Sequence, residues 1–220
     1  MNKIWFLEDV NLFKILCPHY YADYKKSHEF DIYPKKEFIY FTKDSSTKVY
    51  LIDKGKVKIG YYNESGDEVV KAILSRGEIF GEKSILGETR HNDFAQSITK
   101  DTSICSMSVG ELQGLMLENR RLSLKIYKFI GLRLRRLERR LEILLFKDAR
   151  TRLIEYLTEM ENEFGITLAN GDILIKHPYT QKDLASLLGI SRPSLNILLN
   201  SLKSENYLDF HRNEFLIRKS

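Results

Sequence analysis

Residues Thr180 to Leu208 read TQKDLASLLGISRPSLNILLNSLKSENYL, and two helices meeting at a tight corner account for the run. Thr180 stands as N-cap with Asp183 three residues on, an Asp variant of the capping box. Leu184 and Ala185 supply the inner face of a first helix, with Ala185 small enough to let a second helix approach. Gly189 allows a left-handed backbone at the turn, Ile190 plugs the corner, Ser191 caps the next helix and Pro193 suits its first turn. Leu195, Leu198, Leu199 and Leu202 then recur on one inner face. An ordinary helical hairpin would share the periodicity, but the joint placement of caps, small residue and turn glycine favours a helix-turn-helix that binds DNA. In that geometry the start of the second helix enters the major groove, which nominates Ser191, Arg192, Ser194 and Asn196 as readers, with Lys203 nearer the phosphates. Arg192 is the best base reader, because its bidentate fork suits a guanine edge. Thr180 and Gln181, at the start of the first helix, are placed to donate to phosphate.

Downstream, YLDFHRNEFLI reads as two strands turning at Arg212-Asn213, a wing beside the second helix. Upstream, DARTRLIEYLTEMENEFG from Asp148 predicts a helix with Ala149, Leu153, Tyr156 and Leu157 on one face and Gly165 as its stop, and DILIKH predicts a short strand. Before these, Ile126, Ile130, Leu134, Leu137, Leu141 and Leu144 follow a spacing of coiled-coil type within about thirty helical residues after Gly110. A helix of that length between two compact domains is expected to bury the stripe against the same helix of a second chain, making a homodimer. Packing of the helix on its own β-domain is the alternative. The arginines at 133, 135, 136, 139 and 140 read as the solvated flank of this seam, with Glu138 and Glu142 pairing locally.

Between Asp31 and about Leu112 the texture is β-rich: EFIYF, KVYLIDKGKVKIGYY, EVVKAIL, FAQSIT and SICSMSV, punctuated by glycine. Turns at Asp53-Lys54-Gly55 and around Gly66 mark hairpins, with positive φ expected at both glycines. Alternation places Cys105 in the core. Short helices are expected from Ile4 to Phe30, with Trp5 and Tyr20 as core or seam residues. The fold class is therefore α+β, with an N-terminal antiparallel, jelly-roll-like β-roll at 1–115, a dimerisation helix at 116–147 and a winged helix-turn-helix at 148–220.

The chain has 220 residues, a formal charge of +5 and a pI near 9.0, which fits a polyanion partner without proving one. Its 43% hydrophobic and 30% charged residues match an ordinary soluble domain pair. Cys17 and Cys105 lack metal-ligand spacing and offer no disulfide framework, so a reducing cytoplasm is the simplest setting. No run reaches the length needed to span a bilayer, so no membrane partner is expected.

In order and extent the chain resembles the CRP/FNR family of bacterial regulators across nearly its whole length. DLASLLGISRPSL is similar to that family's recognition unit and GEIFGEKSILGE, Gly77 to Glu88, to its effector-pocket segment. The resemblance implies transcription regulation, a double-stranded DNA operator of two related half-sites, and RNA polymerase as a further partner of an activator. It also implies an effector pocket at Gly81, Glu82, Asn92 and Asp93. In cyclic-nucleotide-binding members an arginine and a small hydroxyl residue hold the cyclic phosphate, where this chain has Asn92 and Asp93. Asp93 would repel a phosphate and only Arg90 lies near, which argues against cyclic AMP and leaves another small effector open. Cys17 alone cannot supply the cysteine cluster of oxygen-sensing members. His19, His28, His91, His177 and His211 read as surface or capping residues, with haem ligation the alternative. No cofactor and no catalytic or metal-ligating set is evident. The competing readings are a β-barrel metal-dependent enzyme, which would need two or three converging histidines where the β-region has His91 alone, and a sensor module that does not bind DNA.

Overall fold

The computed structural model describes residues 30–219. The helices expected from Ile4 to Phe30, with Trp5, Cys17, His19, Tyr20 and His28, lie outside the described residues apart from Phe30 itself. By contact density the described chain divides into two compact units, residues 30–133 and 134–219.

In the first unit, strands β1 (Asp31–Tyr33), β2 (Phe38–Tyr40), β3 (Lys48–Lys54), β4 (Val57–Tyr62), β5 (Glu68–Leu74), β6 (Ile79–Phe80), β7 (Phe94–Ser97) and β8 (Thr102–Ser108) form two antiparallel sheets. Their orders are β1-β8-β3-β6 and β2-β7-β4-β5. The hairpin turns expected at Gly55 and Gly66 are present, with φ of 89° and 77°. The apolar run VYLI in β3 is buried on both faces, and the period of two explains why. Tyr50 and Ile52 point between the sheets to join Val57, Ile59, Phe80 and Ile104, whereas Val49 and Leu51 join Cys105 in a second cluster completed by helices. Cys105, opposite Leu51 in the ladder, is a small core residue as expected.

Those helices are α1 (Val109–Glu118) and the start of α2 (Arg120–Phe146). The helical run expected to continue unbroken from Gly110 is thus interrupted at Asn119, which takes an extended conformation. Its side-chain oxygen accepts from the backbone N–H groups of Arg121 and Leu122, satisfying donors that the first turn of α2 cannot pair itself. α1 opens on a capping box of Ser108 and Glu111. Leu112, Leu122 and Ile126 pack on the outer face of the sheet that contains β3. Ile126 is therefore corrected: at 5% exposure it belongs to the β-roll core and not to an open seam. The alternative of a helix packed on its own β-domain holds for these first turns of α2.

Farther along, Ile130, Leu134, Leu137 and Leu141 are 50–58% exposed, and Leu145 more so. Leu144 departs from this stripe. It is half-buried, with its Cδ2 2.8 Å from where a Cβ on Gly189 would lie. The arginine flank also needs correction at Arg140, whose partial burial lowers the pKa of its guanidinium instead of leaving it fully solvated.

In the second unit, α3 (Ala149–Phe164) is capped by Asp148, which accepts from Thr151 N–H, and buries Leu153, Tyr156, Leu157 and Met160. Gly165 ends it in an extended conformation, not a left-handed one. Only glycine fits, since a Cβ would lie 2.2 Å from the Glu161 carbonyl oxygen. Gly165 also starts β9 (Gly165–Thr167), a strand that the sequence reading missed. β9 pairs with β10 (Ile173–Lys176), and β10 with β12 (Glu214–Ile217), which pairs in turn with β11 (Leu208–His211). Between β10 and β11 run α4 (Gln181–Leu188) and α5 (Arg192–Ser204). No helix among the described residues is long and apolar enough to cross a membrane.

Candidate nucleic-acid interface and effector pocket

α4 begins where its sequence says it must. Thr180 Oγ1 accepts from Asp183 N–H at 3.1 Å and the Asp183 carboxylate accepts from Thr180 N–H at 2.8 Å. Gly189 closes the helix with φ 65°, and Ile190 N–H returns to the Ala185 carbonyl, setting the corner. Ser191 Oγ then accepts from Ser194 N–H at 3.1 Å and starts α5. Leu195, Leu199 and Leu202 are fully buried beneath it. The far end of α5 is tied to α3 by a two-pronged ion pair, Arg150 to Glu205 at 2.8 and 2.5 Å. Caps at one end and a forked pair at the other fix the helix orientation, which is what presenting side chains to a groove requires.

Around the two helix starts lies a concavity of about 440 Å³ lined by Thr180, Gln181, Lys182, Arg192, Arg212 and Asn213. Arg212 and Asn213 come from the turn between β11 and β12 and were not among the expected site residues. The wing's backbone was legible, but the bonds that carry its tip here were not. Asn213 Nδ2 donates to the carbonyls of His177 and Tyr179, and Asn213 accepts from His177 N–H, so the turn is pinned beside the residue that precedes Thr180. Arg192 and Arg212 make no ion pair among the described residues, and two uncommitted guanidiniums beside two helix N-termini suit an anion.

The remaining expected contacts divide. Thr180, Gln181 and Arg192 meet at the concavity, where they are joined by Lys182, which was not among the expected residues either. Ser191 and Ser194 are exposed or half-buried, but their hydroxyls bond each other at 2.8 Å and serve the cap first. Asn196 is half-buried, and its carbonyl accepts from Asn200 Nδ2. Lys203 pairs with Asp209 at 2.9 Å, and Arg218 bridges Asp209 and Asp172 at 2.8 Å each, so the lysine charge is partly spent inside the domain.

In the β-roll, Gly81 has φ 74° and precedes a 3-10 turn, Glu82–Leu86. A Cβ there would lie 2.9 Å from the Lys48 carbonyl and from the Tyr50 ring, so glycine is demanded by packing alone. Beside it Asp93 is buried and binds Lys71 at 3.0 Å, Lys83 at 3.6 Å and the Tyr40 hydroxyl at 3.3 Å. Lys83 also donates to Asn92 at 2.6 Å. Burial first, and then the charges of Asp93 and Glu82, push the Tyr40 hydroxyl well above its ordinary pKa, so it stays a donor.

Two histidines correct the expectation of surface or capping roles. His91 is buried with its ring stacked on Tyr40 at 3.6 Å, and desolvation lowers its pKa. His177 is buried against Phe215 and Tyr179, and desolvation lowers its pKa to about 4. His211 is exposed. Among the described residues no three His, Cys, Asp or Glu side chains gather as a metal site.

Comparison with known proteins matches residues 31–119 to the cyclic nucleotide-binding domain and residues 151–219 to the Crp-like helix-turn-helix domain. A cyclic AMP receptor protein of Thermus thermophilus is 30% identical over 178 residues, covering 79% of this chain and 76% of that protein. The global nitrogen regulator of a Nostoc species is 24% identical over 86% of this chain and 85% of its own. Among solved structures, a CooA mutant from Carboxydothermus hydrogenoformans superposes with a TM-score of 0.73 at 26% identity, covering 98% of this chain and 94% of that one.

Proposed function

Since the chain belongs to the CRP/FNR family of DNA-binding transcription regulators, we propose that it acts in the cytoplasm as a homodimer on a two-fold-related operator, with Arg192 as its principal base reader. The observation that carries this reading is the concavity of Thr180, Gln181, Lys182, Arg192, Arg212 and Asn213, where cationic side chains from three elements surround two capped helix starts. Thr180, Gln181, Lys182 and Arg212 hold backbone phosphates and set the register; Arg192 reaches a guanine edge. Ser191 and Ser194 hold the start of α5 in shape, and Asn196 and Lys203 act at its margin. The exposed stripe Ile130, Leu134, Leu137 and Leu141 pairs with its copy in the second chain. Where the protein activates, RNA polymerase is the second partner.

The β-roll supports an effector other than cyclic AMP. A cyclic phosphate entering beside Gly81 and Glu82 would meet the Asp93 carboxylate, and the two lysines able to attract it are already bound to that carboxylate. A group that displaced Lys71 or Lys83 from Asp93 would loosen β5 from the 3-10 turn, and through α2 could bias the spacing of the two recognition helices.

The test is Arg192→Ala in a gel shift. Loss of one bidentate contact should weaken operator binding by about 1 to 3 kcal/mol and relax preference at one base pair. Unchanged affinity and preference would remove Arg192 from the groove.

A further inference from the structure

Ile197 is 70% exposed in the middle of α5. At about 100° per residue it lies roughly 200° round the helix from both Leu195 and Leu199, which are fully buried, so it points directly away from the domain core. Pro193 and Asn200, also exposed, continue the same outward stripe at spacings of four and three residues. A single exposed isoleucine on a surface needs no explanation. This one stands on the outer face of the helix that the DNA-binding reading sends into the groove, about 7.5 Å along the axis from Arg192, and with Pro193 it gives that face an apolar centre.

On that reading, we infer that Ile197 is a specificity residue that selects thymine through its 5-methyl group. An isoleucine side chain neither donates nor accepts. Against guanine, adenine or cytosine in the major groove it would cover ring or exocyclic polar groups without replacing their bonds to water. Thymine alone among the four bases offers a methyl carbon there. The thymine belongs within about two base pairs of the guanine read by Arg192, given the axial offset and the rise of the duplex. The half-site is thus read by one charged fork and one apolar contact.

The experiment selects bound sequences from random 30-base-pair duplexes with the full-length protein, then replaces each candidate thymine of one half-site by deoxyuridine, which removes only the methyl group. At one position deoxyuridine should weaken binding of the unaltered protein about fourfold, the value of burying one methyl-sized group. Ile197→Ala should bind the thymine and deoxyuridine duplexes equally while still losing affinity when the Arg192 guanine is changed. Equal binding of both duplexes by the unaltered protein, or the same discrimination retained by Ile197→Ala, overturns the inference and leaves the DNA-binding reading standing. Failure to enrich any sequence overturns both.

Discussion

His177 lies with its ring 4.9 Å from Phe215 and 5.7 Å from Tyr179, while its backbone holds the wing turn through Asn213. An unfolded histidine takes its proton near pH 6.5, whereas the folded ring resists it down to about 4. The folded-state pKa is lowered, so the stabilisation is whole above pH 6.5 and is lost as the pH falls toward 4, by up to roughly 3 kcal/mol. Denaturant melts of the unaltered protein and of His177→Phe across this window should diverge accordingly, the phenylalanine variant giving the flatter profile. Parallel profiles would show that the ring is not kept neutral by the fold. Single residues were legible where chemistry and spacing coincide, as at Thr180, Gly189 and Ser191. They were illegible where a long-range contact decides: nothing local to His91 announces that its ring will stack on Tyr40, fifty-one positions away.

At the scale of elements, α2 contains two different surfaces in one apolar periodicity. Its first turns complete the β-roll core through Leu122 and Ile126, and its later turns expose Ile130, Leu134, Leu137 and Leu141. A repeat of three and four residues states that a helix has a buried face without saying what covers it, so the sequence joined Ile126 to a stripe that the fold divides into a buried and an exposed part. Asn119 had no voice in that pattern, since a break comes from side-chain capping and not from hydropathy. β9 went unseen because three residues of a small edge strand carry too little alternation. The open part of the stripe makes its own prediction. Leu137→Glu sets two carboxylates against each other across the proposed two-fold seam and removes a buried leucine from each chain, which should weaken the dimer by a factor of roughly a thousand or more. Sedimentation analysis should find the unaltered protein dimeric and the variant monomeric at micromolar concentration. A variant that stays dimeric would move the interface elsewhere.

For the molecule as a whole, the order of parts was readable from the change of period along the chain: two in the β-roll, 3.6 through α2, then the capped pair of helices and the hairpin after it. The effector region was less readable, because Asp93 acquires its meaning only when β5 brings Lys71 and the 3-10 turn brings Lys83 to the same carboxylate. The proposed DNA face was readable in its helices but not in the wing turn that Asn213 fastens beside them. A family member with capped recognition helices and an exposed stripe on α2 should read two copies of one short sequence in opposite orientation. Selection of random duplex DNA by the full-length protein, followed by hydroxyl-radical footprinting of the enriched duplex, tests this most directly. The account predicts two protected half-sites related by two-fold symmetry, with centres about one helical turn apart; a single unrepeated protected site would contradict it.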